Sequence, residues 1–235
     1  GRITGPRMVV IHYGLDPQAA STGGRARVRQ EFDISLDAPL ALCLARLDPQ
    51  KDHAGLLRAW AVVVTGRPDA RLLLAGGTQL GGDAYVEGLH RQAAALGIES
   101  SVHFAGVRRD VPDLLAAADL LVMASRWEGL GMVFLEAMGA SLPVVATRVG
   151  GVPEVVLHHG TGLLVPPGDS PTLAAALQRL IDDPELADRL GRVGRLRLET
   201  EFTTAAMVRK TLDLYAGIRG TIDPAPSPHP PEDSL

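Results

Sequence analysis

The sequence predicts an α/β fold: a doubly wound parallel sheet with extra helices at the C-terminal end. Three observations predict it. Short apolar runs recur along the chain, separated by stretches whose apolar residues follow helical spacing. The runs are apolar throughout, with no in–out alternation, as suits parallel strands covered on both faces. From Pro171 onward the spacing is helical only. With 235 residues, 46% of them hydrophobic, the chain has material for a sizeable core.

The elements follow in order. Met8 to His12 reads as a first buried strand, with a turn at Gly14, and Ser21 to Phe32 as a polar helix carrying Arg25, Arg27 and Arg29. Leu40 to Ala45 is the second strand. Asp52 to Val64 is a helix ended by Gly66 and Pro68. Ala70 to Ala75 is a strand broken by Gly76-Gly77. Ala84 to Leu96 is a helix with Gly97 as its C-cap. Val102 to Ala105 is a strand, and Val111 to Ala117 a short helix with Asp110 as N-cap and Pro112 in its first turn. Leu120 to Ala124, Met132 to Ala140 and Val144 to Thr147 read as strand, helix and strand. A helical turn at Val152 to Val156 and an extended piece at Gly162 to Val165 follow. Helices are expected at Thr172 to Ile181, Glu185 to Leu198 and Thr203 to Ile218. This gives one domain over 1–219. The tail over 220–235, with Pro224, Pro226, Pro228, Pro230 and Pro231, is expected to be disordered.

A net charge of −4 gives no reason to expect nucleic acid as a partner. The single cysteine, Cys43, rules out an internal disulfide framework and sits in a run expected in the core. No apolar stretch is long enough for a membrane span, and the expected location is the cytoplasm. The chain opens on Gly1 rather than Met, as a processed, cut or engineered piece would. Positive charge comes from 21 arginines and only 2 lysines, so each lysine raises the question of why it is not arginine.

Ligands of such sheets bind outside the carboxyl ends of the strands. Neither GxGxxG after the first strand nor GxxxxGK[ST] occurs, which argues against a dinucleotide site or a Walker-type nucleotidase. Arg46 and Lys51 follow the second strand. A guanidinium fork and a compact ammonium suit two adjacent phosphates, although both also suit a solvated surface. Glu128 and Glu136 flank Gly129 and Gly131. They fit an acid/base pair, solvated charges, or carboxylates that accept vicinal hydroxyls of a sugar. The glycines bring backbone amides near a ligand, and the helix start beyond them favours an anion. His12 and Tyr13 fit either the cleft or packing. His103 reads as a core or edge histidine, His158-His159 as a loop pair without metal-ligand spacing, and Ser125 as a loop hydroxyl. Arg189, Arg192, Arg195 and Arg197 read as a solvated helix face, with an anionic membrane or a partner as the alternative contact.

Taken together, Ala45-Arg46-Leu47-Asp48-Pro49-Gln50-Lys51, Phe104 to Val111, Glu128-Gly129-Leu130-Gly131 through Glu136-Ala137, Pro143 to Thr147, Gly150 to Glu154 and Thr161 to Val165 resemble the C-terminal domain of glycosyltransferase family 4. The resemblance covers roughly 8–218. It implies the Rossmann-like second half of a GT-B fold in a retaining enzyme that uses nucleotide sugars. It further implies that Arg46 and Lys51 hold the diphosphate and Glu136 the ribose hydroxyls, while Glu128 touches the donor sugar. The backbone over Gly129, Leu130, Gly131, Met132 and Val133 would face phosphate and sugar, and that near Val107 and Arg108 the base. No cofactor or metal is expected. The acceptor-binding N-terminal half, absent here, is the implied partner. The alternative is a non-catalytic sugar-nucleotide-binding module, and a glycosidase is a more distant third. The chain departs from the family at Ala45, usually glycine, and at His12-Tyr13-Gly14, often Pro-Asn-Gly.

Overall fold

The computed structural model describes residues 9–16, 21–78 and 82–219. Its centre is a six-stranded, wholly parallel sheet made of β1 (Leu40–Leu44), β2 (Arg71–Ala75), β3 (Val102–Gly106), β4 (Leu120–Met123), β5 (Val144–Thr147) and β6 (Gly162–Val165). The strand order is β3-β2-β1-β4-β5-β6. The chain first winds outward from β1 to β3, then crosses back and winds the other way from β4. The reversal therefore lies between β1 and β4, where such sheets leave a crevice. Strand interiors such as Leu42, Leu73, Leu121, Val122 and Val145 are wholly buried, as expected of strands covered on both faces.

Of the helices, α2 (His53–Gly66) packs against α3 (Asp83–Ala95) and α7 (Ser170–Asp182). On the other face α1 (Gly24–Glu31) packs against α4 (Val111–Ala117), and α5 (Met132–Gly139) against α8 (Pro184–Glu201). A single turn, α6 (Val152–Val155), follows β5, and α9 (Thr204–Arg219) ends the described chain. Trp60 of α2 is fully buried and donates its indole N–H to Ser101 Oγ at 3.2 Å. Gly97 takes the left-handed conformation expected after α3. Asp110 precedes α4 but makes no side-chain cap; its carboxylate is engaged by Arg108 and Arg27 instead. The expected tail over 220–235 lies outside the described residues.

Two expectations need correction. The described part of the first expected strand, 9–12, is not in the sheet, and Val9 and Val10 are more than half exposed. The segment lies on the junction of α8 and α9. There Leu15 N–H donates to Phe202 O at 2.8 Å, Asp16 accepts from Thr204 N–H at 3.2 Å, and His12 meets Glu154 at 2.6 Å. A β-branched run gains ladder bonds only where an edge is available to it, and this one is held elsewhere.

The second correction concerns α1, whose polar face hides a buried guanidinium. Arg29 is fully buried and donates to the carbonyls of Ala117, Ser35, Leu36 and Ala38 and to Asp119. Asp119 in turn accepts from the N–H of Leu40 at the start of β1. Burial lowers the pKa of Arg29, and the nearby Asp119 opposes that shift. Removing the cation strands five acceptors, so Arg29→Ala should lower stability by about 3–5 kcal/mol in urea unfolding.

Candidate functional site

The loops at the carboxyl ends of β1 and β4 face each other across the strand reversal and are tied together. After β1, Asp48 caps a 3₁₀ turn at Pro49–Lys51 by accepting from Gln50 N–H at 2.9 Å. Asp52, left-handed at φ 48°, then starts α2 by accepting from Gly55 N–H. An aspartate before a proline, followed by a second aspartate cap, thus turns the chain sharply and leaves Lys51 at the apex. The β4 loop docks on this turn. Arg126 N–H donates to Gln50 O at 2.7 Å, and the Gln50 side-chain amide donates to Trp127 O at 3.0 Å.

These contacts bring Lys51 Nζ within 2.6 Å of Glu128 Oε1. Both side chains are largely buried, 13% and 7% exposed. The Ser125 hydroxyl donates to the same oxygen at 2.7 Å. Arg46, on the same loop as Lys51, has its side chain 47% exposed and pairs with Asp48 at 3.1 Å. The β5 loop presses on Glu128 from behind: Gly150 is left-handed at φ 50°, and a Cβ there would run into Glu128 O. Gly151 N–H also donates to Gly129 O at 2.8 Å.

Helix α5 starts at Gly131, φ 78°, with no side-chain cap among the described residues; Phe134 N–H turns back to Gly131 O at 3.1 Å, and the amides of Met132 and Val133 at the helix start lack a side-chain acceptor. Glu136 follows about one turn in. It has no hydrogen bond or ion pair among the described residues, and burial raises its pKa. It lines a cavity of about 250 Å³ together with Val111, Pro112 and Leu115 of α4. Glu128 does not line that cavity. The two carboxylates thus serve different places: Glu128 is closed against Lys51, while Glu136 faces the groove between α4 and α5.

The loops after β2 and β3 complete this end of the sheet. Leu47 N–H donates to Gly77 O, and Gly76 N–H to Gly106 O, both at 2.8 Å. Val107 is 75% exposed. The Arg108 guanidinium is held by Glu31 and by Asp110. That pairing raises the pKa of Arg108 and, with Arg27, keeps the Asp110 carboxyl below its usual range. The Arg108 side chain is therefore engaged, and the backbone is what the loop offers a ligand.

Other candidates find structural partners. Tyr13 is exposed, and His12 pairs with Glu154. His158 and His159 stack with ring centres 3.8 Å apart, and His158 Nδ1 accepts from Leu164 N–H. No cluster of three or more His, Cys, Asp or Glu able to hold a metal ion occurs among the described residues. His103 is half-buried on the edge strand β3, and the Cys43 thiol is buried, its pKa pushed up to about 12. The expected arginine face divides. Arg189 and Arg192 are exposed, whereas Arg195 donates to Gly139 O and Arg197 to the carbonyls of Glu154 and Val155. Two residues at this end of the sheet were not singled out as functional. Ser125 holds Glu128, and its position three before a glutamate was the available signal. His53 is fully buried beside the Lys51 turn, and burial lowers its pKa to about 4.

Comparison with known proteins fits this geometry. Residues 24–197 match the family described as glycosyl transferases group 1. The chain belongs to this family. It is 36% identical over 217 residues to a D-inositol 3-phosphate glycosyltransferase of Streptomyces avermitilis, covering 89% of this chain and 46% of that protein. It is also 36% identical over 204 residues to a GDP-mannose-dependent phosphatidylinositol monomannoside mannosyltransferase of Mycolicibacterium smegmatis, covering 81% and 52%. The structure of Anabaena HepE in complex with UDP and glucose superposes with a TM-score of 0.81 at 30% identity, covering 88% of this chain and 56% of that one. The chain spans about half the length of the curated relatives it matches. Among the described residues, no helix is long and apolar enough to cross a membrane.

The raised pKa of Glu136 carries a stability consequence. A carboxyl whose folded pKa lies above its unfolded value favours folding while protonated, and that contribution is lost as pH rises through the folded pKa. Glu136→Gln stays neutral at every pH. It should melt at a higher temperature than the unsubstituted protein at pH 7, and the difference should vanish below about pH 4, near the ordinary glutamate pKa. Thermal scans at the two pH values test this.

Proposed function

We propose that this chain is the donor-binding half of a retaining glycosyltransferase, which moves a hexose from a nucleoside-diphosphate sugar to an acceptor hydroxyl. The observation that carries the reading is the Lys51–Glu128 pair, which ties the loop after β1, carrying also the half-exposed Arg46, to the loop after β4, which leads into the uncapped start of α5. A diphosphate lying there would meet a guanidinium, an ammonium and the amides over Gly131, Met132 and Val133. The backbone over Gly129 and Leu130 would line the same turn. Glu136, unpaired and half-buried, would accept the ribose hydroxyls. The backbone at Val107 and Arg108 would take the base. Glu128 would accept a hydroxyl of the transferred sugar.

In this reaction the bond from the sugar C1 to the phosphate oxygen breaks, and C1 bonds to the acceptor oxygen on the same face. The acceptor proton passes to the departing phosphate. Arg46, Lys51 and the helix start stabilise the charge left on that phosphate. They supply the positive charge a divalent cation would otherwise bring, so transfer by the full-length protein should survive saturating EDTA with less than about a twofold change.

Relatives that use GDP-mannose or bind UDP and glucose support the choice of donor. A UDP- or GDP-hexose is therefore the donor proposed here. The acceptor would be held by the other half of the protein. Val208, Leu212 and Tyr215 form an exposed apolar stripe at helical spacing along α9, which supports docking of that half.

Calorimetry with UDP and GDP tests the proposal. Arg46→Ala and Lys51→Ala should each weaken binding about 30- to 1000-fold, corresponding to roughly 2–4 kcal/mol for a lost charge-assisted contact. Glu136→Gln should weaken nucleotide binding. Glu128→Gln frees Lys51, so it should lower turnover far more than nucleotide affinity. Equal effects of the two glutamate substitutions on nucleotide affinity would overturn the division of roles.

A further inference from the structure

We propose that Ser125 is a positioning residue: it fixes Glu128 by one carboxylate oxygen and leaves the other, Oε2, as the single acceptor for a hydroxyl of the transferred sugar. The inference rests on the donor-binding reading above and deepens it.

The geometry is asymmetric. Lys51 Nζ and Ser125 Oγ both converge on Oε1, at 2.6 and 2.7 Å. Oε2 has no partner among the described residues. Ser125 is itself fully buried and anchored from behind, because Thr147 of β5 donates its hydroxyl to Ser125 O at 2.5 Å. A serine three residues before a glutamate ordinarily reads as a helix capping box. Here no helix starts until Met132, and the serine hydroxyl goes to the glutamate side chain instead.

This arrangement matters most once the donor arrives. The Lys51 ammonium has three donors and would keep one on Oε1 while it meets the diphosphate, so a free diphosphate leaves the 7% exposed carboxylate paired. A sugar hydroxyl at Oε2 depends in addition on how the carboxylate is oriented, and Ser125 sets that orientation. Ser125 can keep its hydrogen bond at that moment because its hydroxyl is shut off from the ligand. Oε1 then stays in place and Oε2 is presented alone. Glu128 would thus take one hydroxyl of the sugar and not grip a vicinal pair with both oxygens.

The test uses the full-length protein and calorimetry with UDP, UDP-glucose, GDP and GDP-mannose. For the pair that binds, Ser125→Ala should weaken the sugar nucleotide about tenfold, the scale of a lost hydrogen bond to a charged group. It should leave the free diphosphate within about threefold. Ser125→Thr, which keeps the hydroxyl, should restore sugar-nucleotide binding, while Ser125→Cys, a weaker donor, should not. In a Glu128→Ala background, which removes the acceptor, Ser125→Ala should change nothing further. Equal weakening of both ligands, additive effects of the two substitutions, or identical Thr and Cys variants would overturn the inference alone. If none of the four ligands binds the unsubstituted protein, the donor-binding reading falls and this inference falls with it. Should Ser125→Ala not fold, the Thr and Cys comparison decides.

Discussion

Lys51 and Glu128 lie 77 positions apart and meet as a buried ion pair at the sheet's strand reversal. Much of the site depends on that meeting. It requires β1 beside β4, so that the loops leaving their carboxyl ends abut. It requires Asp48 and Asp52 to turn the first loop tightly enough to raise Lys51, and a glycine at 150 so that the β5 loop can close on Glu128. Desolvating two charges costs about as much as their attraction returns, so the pair is weak evidence for stability. What it does is hold an ammonium and a carboxylate in fixed places with little competing water.

The chain's preference for arginine becomes intelligible in this setting. Arg29, Arg108, Arg195 and Arg197 each satisfy several acceptors, among them carbonyls of helix ends and carboxylates of neighbouring loops. A planar fork with five donors suits that work, and an ammonium does not. Lys51 has a different task. Its compact charge is shared with a single carboxylate oxygen, and a small change of rotamer suffices to redirect it. The guanidinium network of Arg25, Arg27, Arg29 and Arg108 also binds α1 to α4 and to the loop after β3. The backbone at Val107 and Arg108 is therefore carried on a braced loop.

Much of the fold is legible in the chain. Continuous apolar runs such as Leu40 to Leu44 and Leu72 to Leu74 can be satisfied only by burial on both faces, which means parallel strands between helices. The cap at Gly97 is local chemistry and reads directly, as does a helix beginning near Asp52. Arg46, Lys51, Glu128 and Glu136 were legible as candidates because loops at the carboxyl ends of such strands are where ligands bind.

Tertiary structure decided the rest, and the reason is distance along the chain. Whether a β-branched run such as Val9-Val10-Ile11 joins a sheet depends on an edge supplied by residues far away. Arg29 looks like any surface arginine until the carbonyls of Ser35, Leu36, Ala38 and Ala117 surround it. Glu128 and Glu136 share one motif, yet one is closed on Lys51 and the other opens to a groove, because the helix between them turns them toward different neighbours. Ser125, plain in the sequence, acquires its part only where Lys51 from another strand reaches the same carboxylate oxygen. Local spacing specifies elements and their chemistry; which groups share a hydrogen bond is specified by the packing that brings distant loops together.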